Sequence, residues 1–378
     1  MRRIKVGIKL FETNTSDHYL LGTPKHFIRI CTPAEKALAL QIAKGRSESE
    51  ILQDPGINKQ SLEKIFDELE AAALIDSEVS ALKVSHRYIS KVEDRVEKSK
   101  KGFVDAALLQ LQSRALPELT QSRWMSDVRD GGITALTARQ NYLVEISGQN
   151  RVATILYSLL LLSGFSQVRF APESRSRKPQ IGDGDIGVID IGPSEIGKSF
   201  RNHCESLRRE LSLFPLDRDH NYLDELSTPD LRIHCGDLDP EKLSQWMSTS
   251  QNFLLIPNPQ GDTAEIGPLV IPGKSPCVRC QLLVARDQNR VQQHLDFGAS
   301  SEVEYPHIAA HFIASIVASL VAKYFDGPST NKHSADKHST DKQSQELVGT
   351  VITVDYQSLS QTQSATIARH PLCGCAFT

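Results

Sequence analysis

The stretch "NYLVEISGQNRVATILYSLLLLSGFSQVRFA", residues 141–171, decides the fold. "NYLVEIS" reads as a strand, "NRVATILYSLLLLSGF" as a buried helix and "SQVRFA" as a second strand. The alternation continues downstream. "IGVIDI" (186–191) predicts a third strand and "GKSFRNHCESLRRELS" a helix. "PDLRIHC", "DPEKLSQWMSTS" and "NFLLIP" predict strand, helix and strand. This order is the signature of a mainly parallel α/β sheet with helices on both faces. "PHIAAHFIASIVASLVAKYF" is a long apolar helix, suited to a core or a dimer interface rather than a membrane. "VGTVITVDY" and "TQSATIARH" close the chain as strands. Between that helix and these strands, residues 325–347 are polar and repetitive, and read as a disordered loop that includes His333 and His338.

Upstream the pattern differs. "IKVGIKL" and "HFIRICT" read as short strands, the latter with Phe27, Arg29 and Cys31 on one side and Ile28 and Ile30 on the other. "TPAEKALALQIAKG" starts a helix with a Thr cap and Pro at its first position. "SESEILQD" carries capping-box spacing from Ser47 to Glu50. "NKQSLEKIFDELEAAALID" sets Leu62, Ile65, Phe66, Leu69 and Ala73 at helical spacing. Strands followed by three helices within residues 1–80 predict a small winged-helix module. Residues 81–130 predict a helical connector whose run "KVEDRVEKSKK" is a solvated face, and residues 131–378 form the sheet domain.

The chain has 378 residues, 39% hydrophobic and 24% charged, with a net charge of -3. Such a balance gives no reason to expect nucleic acid or an anionic membrane as partner. No signal-peptide-length apolar run opens the sequence, so a cytoplasmic, soluble protein is expected. Seven cysteines widely spread do not read as a disulfide framework. Four of them form two close pairs: Cys277 and Cys280 in "GKSPCVRCQ", and Cys373 and Cys375 in "HPLCGC". Four thiolates make a closed zinc site, which leaves no position for water or substrate and is therefore structural. His370 is a possible substitute ligand.

A nucleotide-binding sheet of this kind brackets a glycine-rich turn after its first strand. Here the turn is "ISGQNRVAT": Gly148 alone remains, with Asn150, Val152 and Ala153 where further glycines would stand. Ala171 and Pro172 follow the second strand where an acid would hold a ribose, and Glu173 comes just after. The nucleotide loop is vestigial, and ATP is not expected as a cofactor.

With these motifs in place, "EIGPLVIPGKSPCVRCQLLVARDQ" and the terminal "RHPLCGC" resemble the ThiF-like superfamily of adenylating enzymes. More narrowly, the chain looks like the ThiF-like partner proteins of azoline-forming cyclodehydratases, over roughly residues 130–378. The resemblance implies zinc ligands at Cys277, Cys280, Cys373 and Cys375, and a homodimer through the Rossmann-like domain. It implies an N-terminal module to which a precursor leader peptide adds as a strand. Mapped here, that groove lies between Phe27, Ile28, Arg29 and Ile30 and the helix bearing Lys64, Phe66 and Glu68. The implied role is non-catalytic: to bind the leader and present the precursor to a YcaO-type enzyme that cyclises Cys, Ser or Thr. An ATP-dependent adenylating enzyme is the alternative. A DNA-binding regulator fits less well, because the third helix stretch holds two lysines against five acids.

Overall fold

The computed structural model describes residues 2–13, 18–77, 101–124, 128–148, 150–171, 180–188, 191–214, 227–237, 239–259, 261–288, 304–327, 348–358 and 361–376. They divide into two compact units, Met1–Thr137 and Ala138–Thr378.

In the first unit the expected single strand "IKVGIKL" breaks at Gly7, whose φ of 100° turns the chain. The result is β1 (Arg3–Ile4) and β2 (Lys9–Glu12), which belong to different sheets. A hairpin then makes β3 (Tyr19–Gly22) and β4 (Phe27–Ile30), giving an antiparallel sheet in the order β2-β3-β4. Three helices follow: α1 (Pro33–Ala43), α2 (Glu48–Ile51) and α3 (Lys59–Ala71). The first two carry complete capping boxes, Thr32 with Glu35 and Ser47 with Glu50. Leu62, Ile65, Phe66 and Leu69 of α3 are buried in one core with Ile28, Ile30, Leu38 and Ile42. Ala73, read from the sequence as part of that stripe, lies past the helix end at φ 58°. After it, β5 (Ile75–Asp76) pairs antiparallel with β1. The 81–130 segment contributes α4 (Lys101–Arg123), whose Leu111, Ala115 and Leu119 form a buried stripe one turn apart. The Lys5 ammonium donates to the Arg123 carbonyl at 2.7 Å, so this helix end is tied to the residue that follows β1. A short helix, α5 (Ile133–Ala138), leads into the second unit.

The second unit starts with β6 (Leu143–Gly148), α6 (Arg151–Leu162) and β7 (Gln167–Phe170). The expected third strand, "IGVIDI", is not a strand in its described residues. "IGDGDIG" (181–187) and "IGPSEIG" (191–197) are near copies, and each folds into a 3-10 turn. Gly187 and Gly197, at φ 83° and 80°, reverse the chain. Each donates its N–H to the isoleucine that opens the other copy, which satisfies the backbone without a sheet.

The chain continues through α7 (Phe200–Leu211), β8 (Leu231–Cys235), α8 (Pro240–Ser248) and β9 (Phe253–Ile256). Then come β10 (Thr263–Ile266), β11 (Leu269–Val270), α9 (Val278–Asp287), α10 (His307–Asp326), β12 (Thr350–Asp355) and β13 (Gln363–Thr366). The main sheet runs β11-β9-β8-β6-β7, parallel except for β11, and β10-β12-β13 form a smaller antiparallel sheet. Val144, Ile146, Ile233, Leu254 and Ile256 pack toward α6, α7 and α10 on one face. Phe253 and Leu255 pack with Trp246 of α8 and the four motif cysteines on the other.

Helix α10 is long and apolar enough to cross a membrane by length and composition, but 56% of its most apolar window is buried inside the unit. Phe325 and Asp326 complete this helix instead of opening the 325–347 loop, since Asp326 is held by Arg139 at 2.6 Å. Of that loop, residues 328–347, with His333 and His338, lie outside the described residues.

Candidate functional site

The four motif cysteines converge. Cys277 caps α9, Cys280 sits in its first turn, and the tail brings in Cys373 and Cys375. All four are buried, with their sulfurs within 4.8 Å of one another. The Cys277–Cys373 and Cys280–Cys375 sulfur separations are 3.5 and 3.3 Å, and Cys277–Cys280 is 4.0 Å. Sulfurs about 2.3 Å from a shared tetrahedral metal lie about 3.8 Å apart, so the donor set fits such an ion. Burial opposes ionisation at Cys280, yet the His370 and Cys277 backbone N–H groups outweigh it and bring this thiol down to about 7. The cluster can hold a metal such as zinc.

His370 is not a fifth candidate. Its Nε2 lies 2.8 Å from the Asp287 carboxylate, and its Nδ1 accepts the Leu372 N–H at 3.1 Å. Its own backbone N–H points at the Cys280 sulfur, 3.4 Å away. It ties the tail to the end of α9, a supporting position around the ligands.

The carboxyl end of the main sheet is the place where such folds hold ligands. Gly148 ends β6 at φ 105°, and a Cβ there would collide with the Cys235 carbonyl on β8. The glycine therefore serves strand pairing. At the start of α6 the Asn150 side chain accepts the Ala153 N–H at 3.1 Å, and the Glu304 carboxylate accepts the Arg151 N–H at 3.3 Å. Oxygen atoms of the protein thus occupy two of the N–H groups that a phosphate would use. The Arg151 guanidinium donates to the Gly184 and Tyr305 carbonyls. Tyr305 is fully buried and its hydroxyl donates to the Pro257 carbonyl, with burial holding the phenol protonated well above its usual range. Pro172 and Glu173 lie outside the described residues; Ala171 gives its N–H to the Ile146 carbonyl. Nearby, parallel pairing sets Ser147 beside His234, with 2.8 Å from hydroxyl to Nδ1. Neither Glu304 and Tyr305 nor this Ser–His pair was singled out from the sequence, because only long-range packing and strand register bring them there.

In the first unit, Ile28 and Ile30 are core side chains, and so is Phe66, while Phe27 and Arg29 are exposed. Strand β4 is the edge of its sheet among the described residues. Thr23 N bonds the His26 carbonyl at the hairpin, so the next pairs to exchange hydrogen bonds are Leu21–Ile28 and Tyr19–Ile30. Phe27 and Arg29 consequently turn their N–H and C=O groups to the open edge. Beyond them Glu35 closes the strand end, accepting the Cys31 and Thr32 N–H groups at 3.2 and 3.1 Å. The Lys64 ammonium is 3.4 Å from Glu35 and 3.9 Å from Glu68. Gln60, Glu63, Lys64, Asp67, Glu68 and Ala71 line an open concavity of about 510 Å³ along α3.

No family model matches the chain, and no curated protein matches it. Solved structures do. The microcin C7 biosynthetic enzyme MccB in complex with N-formylated MccA aligns with a TM-score of 0.62 at 14% identity, covering 99% of each chain. E. coli MccB with AMPCPP and MccA gives 0.62 at 14% identity, over 100% of this chain and 99% of that one. E. coli MccB with ATP gives 0.61 at 14%, over 99% of both. At this identity the likeness is one of fold: a mixed α/β architecture with a mainly parallel central sheet.

Proposed function

We propose that the chain is a peptide-binding component of ribosomal-peptide biosynthesis, which holds a precursor's leader segment for a separate YcaO-type cyclodehydratase. The observation that carries this reading is the open β4 edge, where Phe27 and Arg29 offer main-chain groups beside α3. An extended peptide that pairs there is recognised by β-augmentation. We read the first unit as a winged-helix module, with Lys64 and Glu68 on the far wall of the groove. The same fold in a complex of MccB with the MccA peptide supports a peptide-processing role. In the second unit, zinc on Cys277, Cys280, Cys373 and Cys375 clamps the tail to the sheet as a structural ion. The sheet domain is a cytoplasmic docking scaffold that pairs with a second copy.

The test is calorimetric titration of the full chain with the leader peptide encoded beside it, followed by azoline formation with the YcaO-type enzyme added. Leader binding by the chain, with ATP turnover only when the enzyme is present, is expected. A second reading, an adenylating enzyme, has support in the likeness to MccB with ATP. Against it stand Asn150 and Glu304 on the N–H groups of α6. ATP–pyrophosphate exchange by the chain alone would replace the first reading with the second.

A further inference from the structure

Resting on that reading of β4 as the peptide edge, we infer which segment the edge selects: an extended one with an acidic residue and, two positions later, an aromatic or large aliphatic one. Arg29 and Phe27 make the selection, on the outer face of the sheet. The edge is short. At one end the hairpin closes it, where the Thr23 N–H donates to the His26 carbonyl. At the other, Glu35 takes the Cys31 and Thr32 N–H groups. Within β4, Ile28 and Ile30 spend their main-chain groups on Leu21 and Tyr19, which leaves those of Phe27 and Arg29.

Both strand pairs of this sheet are antiparallel, and an added strand of that sense exchanges two bonds between Arg29 and one of its residues and two between Phe27 and another. The chains run in opposite directions, so the residue facing Arg29 comes first and the one facing Phe27 stands two positions after it. Side chains directly opposite share a face, with Cβ atoms about 5 Å apart. Four main-chain bonds are common to every segment, so these two side-chain pairs decide between segments.

Ile28 and Ile30 are buried in the core, which sends Phe27 and Arg29 to the opposite face of the sheet. The register sets two rows across that face: Arg29, Leu20 and Phe11, then Phe27, Gly22 and Lys9. They hold two cations and no acid. Arg29 is exposed and forms no ion pair among the described residues, so a carboxylate set opposite it meets an unpaired guanidinium. A lysine there meets like charge, which is destabilising. Phe27 is 41% exposed. Its neighbour on β3 is Gly22, which has no side chain to flank the ring, and a Cβ there would collide with the Phe27 backbone. An apolar side chain opposite Phe27 supplies the cross-strand contact that β3 does not.

The test uses the full chain and three threonine-rich synthetic heptapeptides, titrated at low salt. The first has glutamate at its third position and phenylalanine at its fifth. The second exchanges those two residues, and the third has lysine in place of the glutamate. The wild type should bind the first roughly fivefold more tightly than either of the others, as two modest cross-strand pairs would give. Arg29→Glu changes an exposed, unpaired side chain; it should make the lysine peptide the better ligand, and added salt should shrink the charge preference. Arg29→Pro removes an outward N–H that no strand of the sheet uses, so the fold tolerates it, and it should abolish binding of all three. If Arg29→Pro abolishes binding but the first two peptides bind equally, or Arg29→Glu leaves the charge preference unchanged, the edge is the site and the selection is wrong. If Arg29→Pro binds every peptide as the wild type does, the edge itself is not the site, and the reading beneath it fails too.

Discussion

The two units treat comparable hydrogen-bonding groups in opposite ways. At the edge of β4, Phe27 and Arg29 turn main-chain groups outward with no neighbouring strand among the described residues. At the carboxyl end of the second unit's sheet, Asn150 and Glu304 take N–H groups that start α6, and Tyr305 is packed among the strand ends. An open edge invites a chain, whereas a filled helix start leaves less for a phosphate. In the function proposed above, this difference separates recognition from scaffold within one polypeptide. The second unit's helix α9 adds a contrast of its own, because its cap is a cysteine of the four-thiol cluster and makes no side-chain cap hydrogen bond.

The comparison breaks most severely at the metal. Cys373→Ser, or removal of the ion by a chelator, should lower the melting temperature of the second unit by more than about 10 °C, since ligand binding is coupled to folding. Calorimetry should show the first unit's transition unmoved; a shift of both would mean that the units do not melt independently. Next in size is Gly148→Ala, which combines a φ of 105° with a Cβ aimed at the Cys235 carbonyl. About 3 kcal/mol of destabilisation is expected in denaturant unfolding, from a strained backbone with no room to relax.

Asn150→Ala should cost about 1 kcal/mol as a lost helix cap. The same variant sharpens the contrast: combined with Glu304→Ala it should still show no ATP binding by calorimetry, because Gly148 alone remains of the glycine turn. The smallest effect concerns Glu35. Burial works against its ionisation, but the Cys31 and Thr32 N–H groups, the Thr32 hydroxyl and Lys64 outweigh it and hold the carboxyl below the usual glutamate range. Its folded pKa is depressed, so its contribution is present above the unfolded value of about 4.3 and is lost as pH falls through the folded value. Acid titration of Glu35→Gln against the wild type should show the first unit's stability converging at low pH.

Much of this was legible in the sequence because it depends on near neighbours. The Thr32–Glu35 and Ser47–Glu50 boxes, the Leu62 to Leu69 stripe and the strand–helix alternation after residue 141 are local patterns. The cysteines were legible because CxxC and CxC are unusual enough to imply each other. What stayed hidden depends on register and distance. Nothing local says that Phe27 and Arg29, rather than Ile28, face the open edge, since that follows from which pair closes the hairpin. The Glu304–Arg151 bond joins residues that only the folded sheet brings together. "IGVIDI" looked like a strand by composition, but the glycines of a duplicated turn overrode it.

Amide hydrogen exchange of the full chain, with and without the leader peptide, tests the central contrast most directly. The N–H groups of Phe27 and Arg29 should exchange fast in the free protein and become protected on binding, while residues 147–153 stay unchanged. Protection that appears at the end of β6 and the start of α6, with none along β4, would contradict the account.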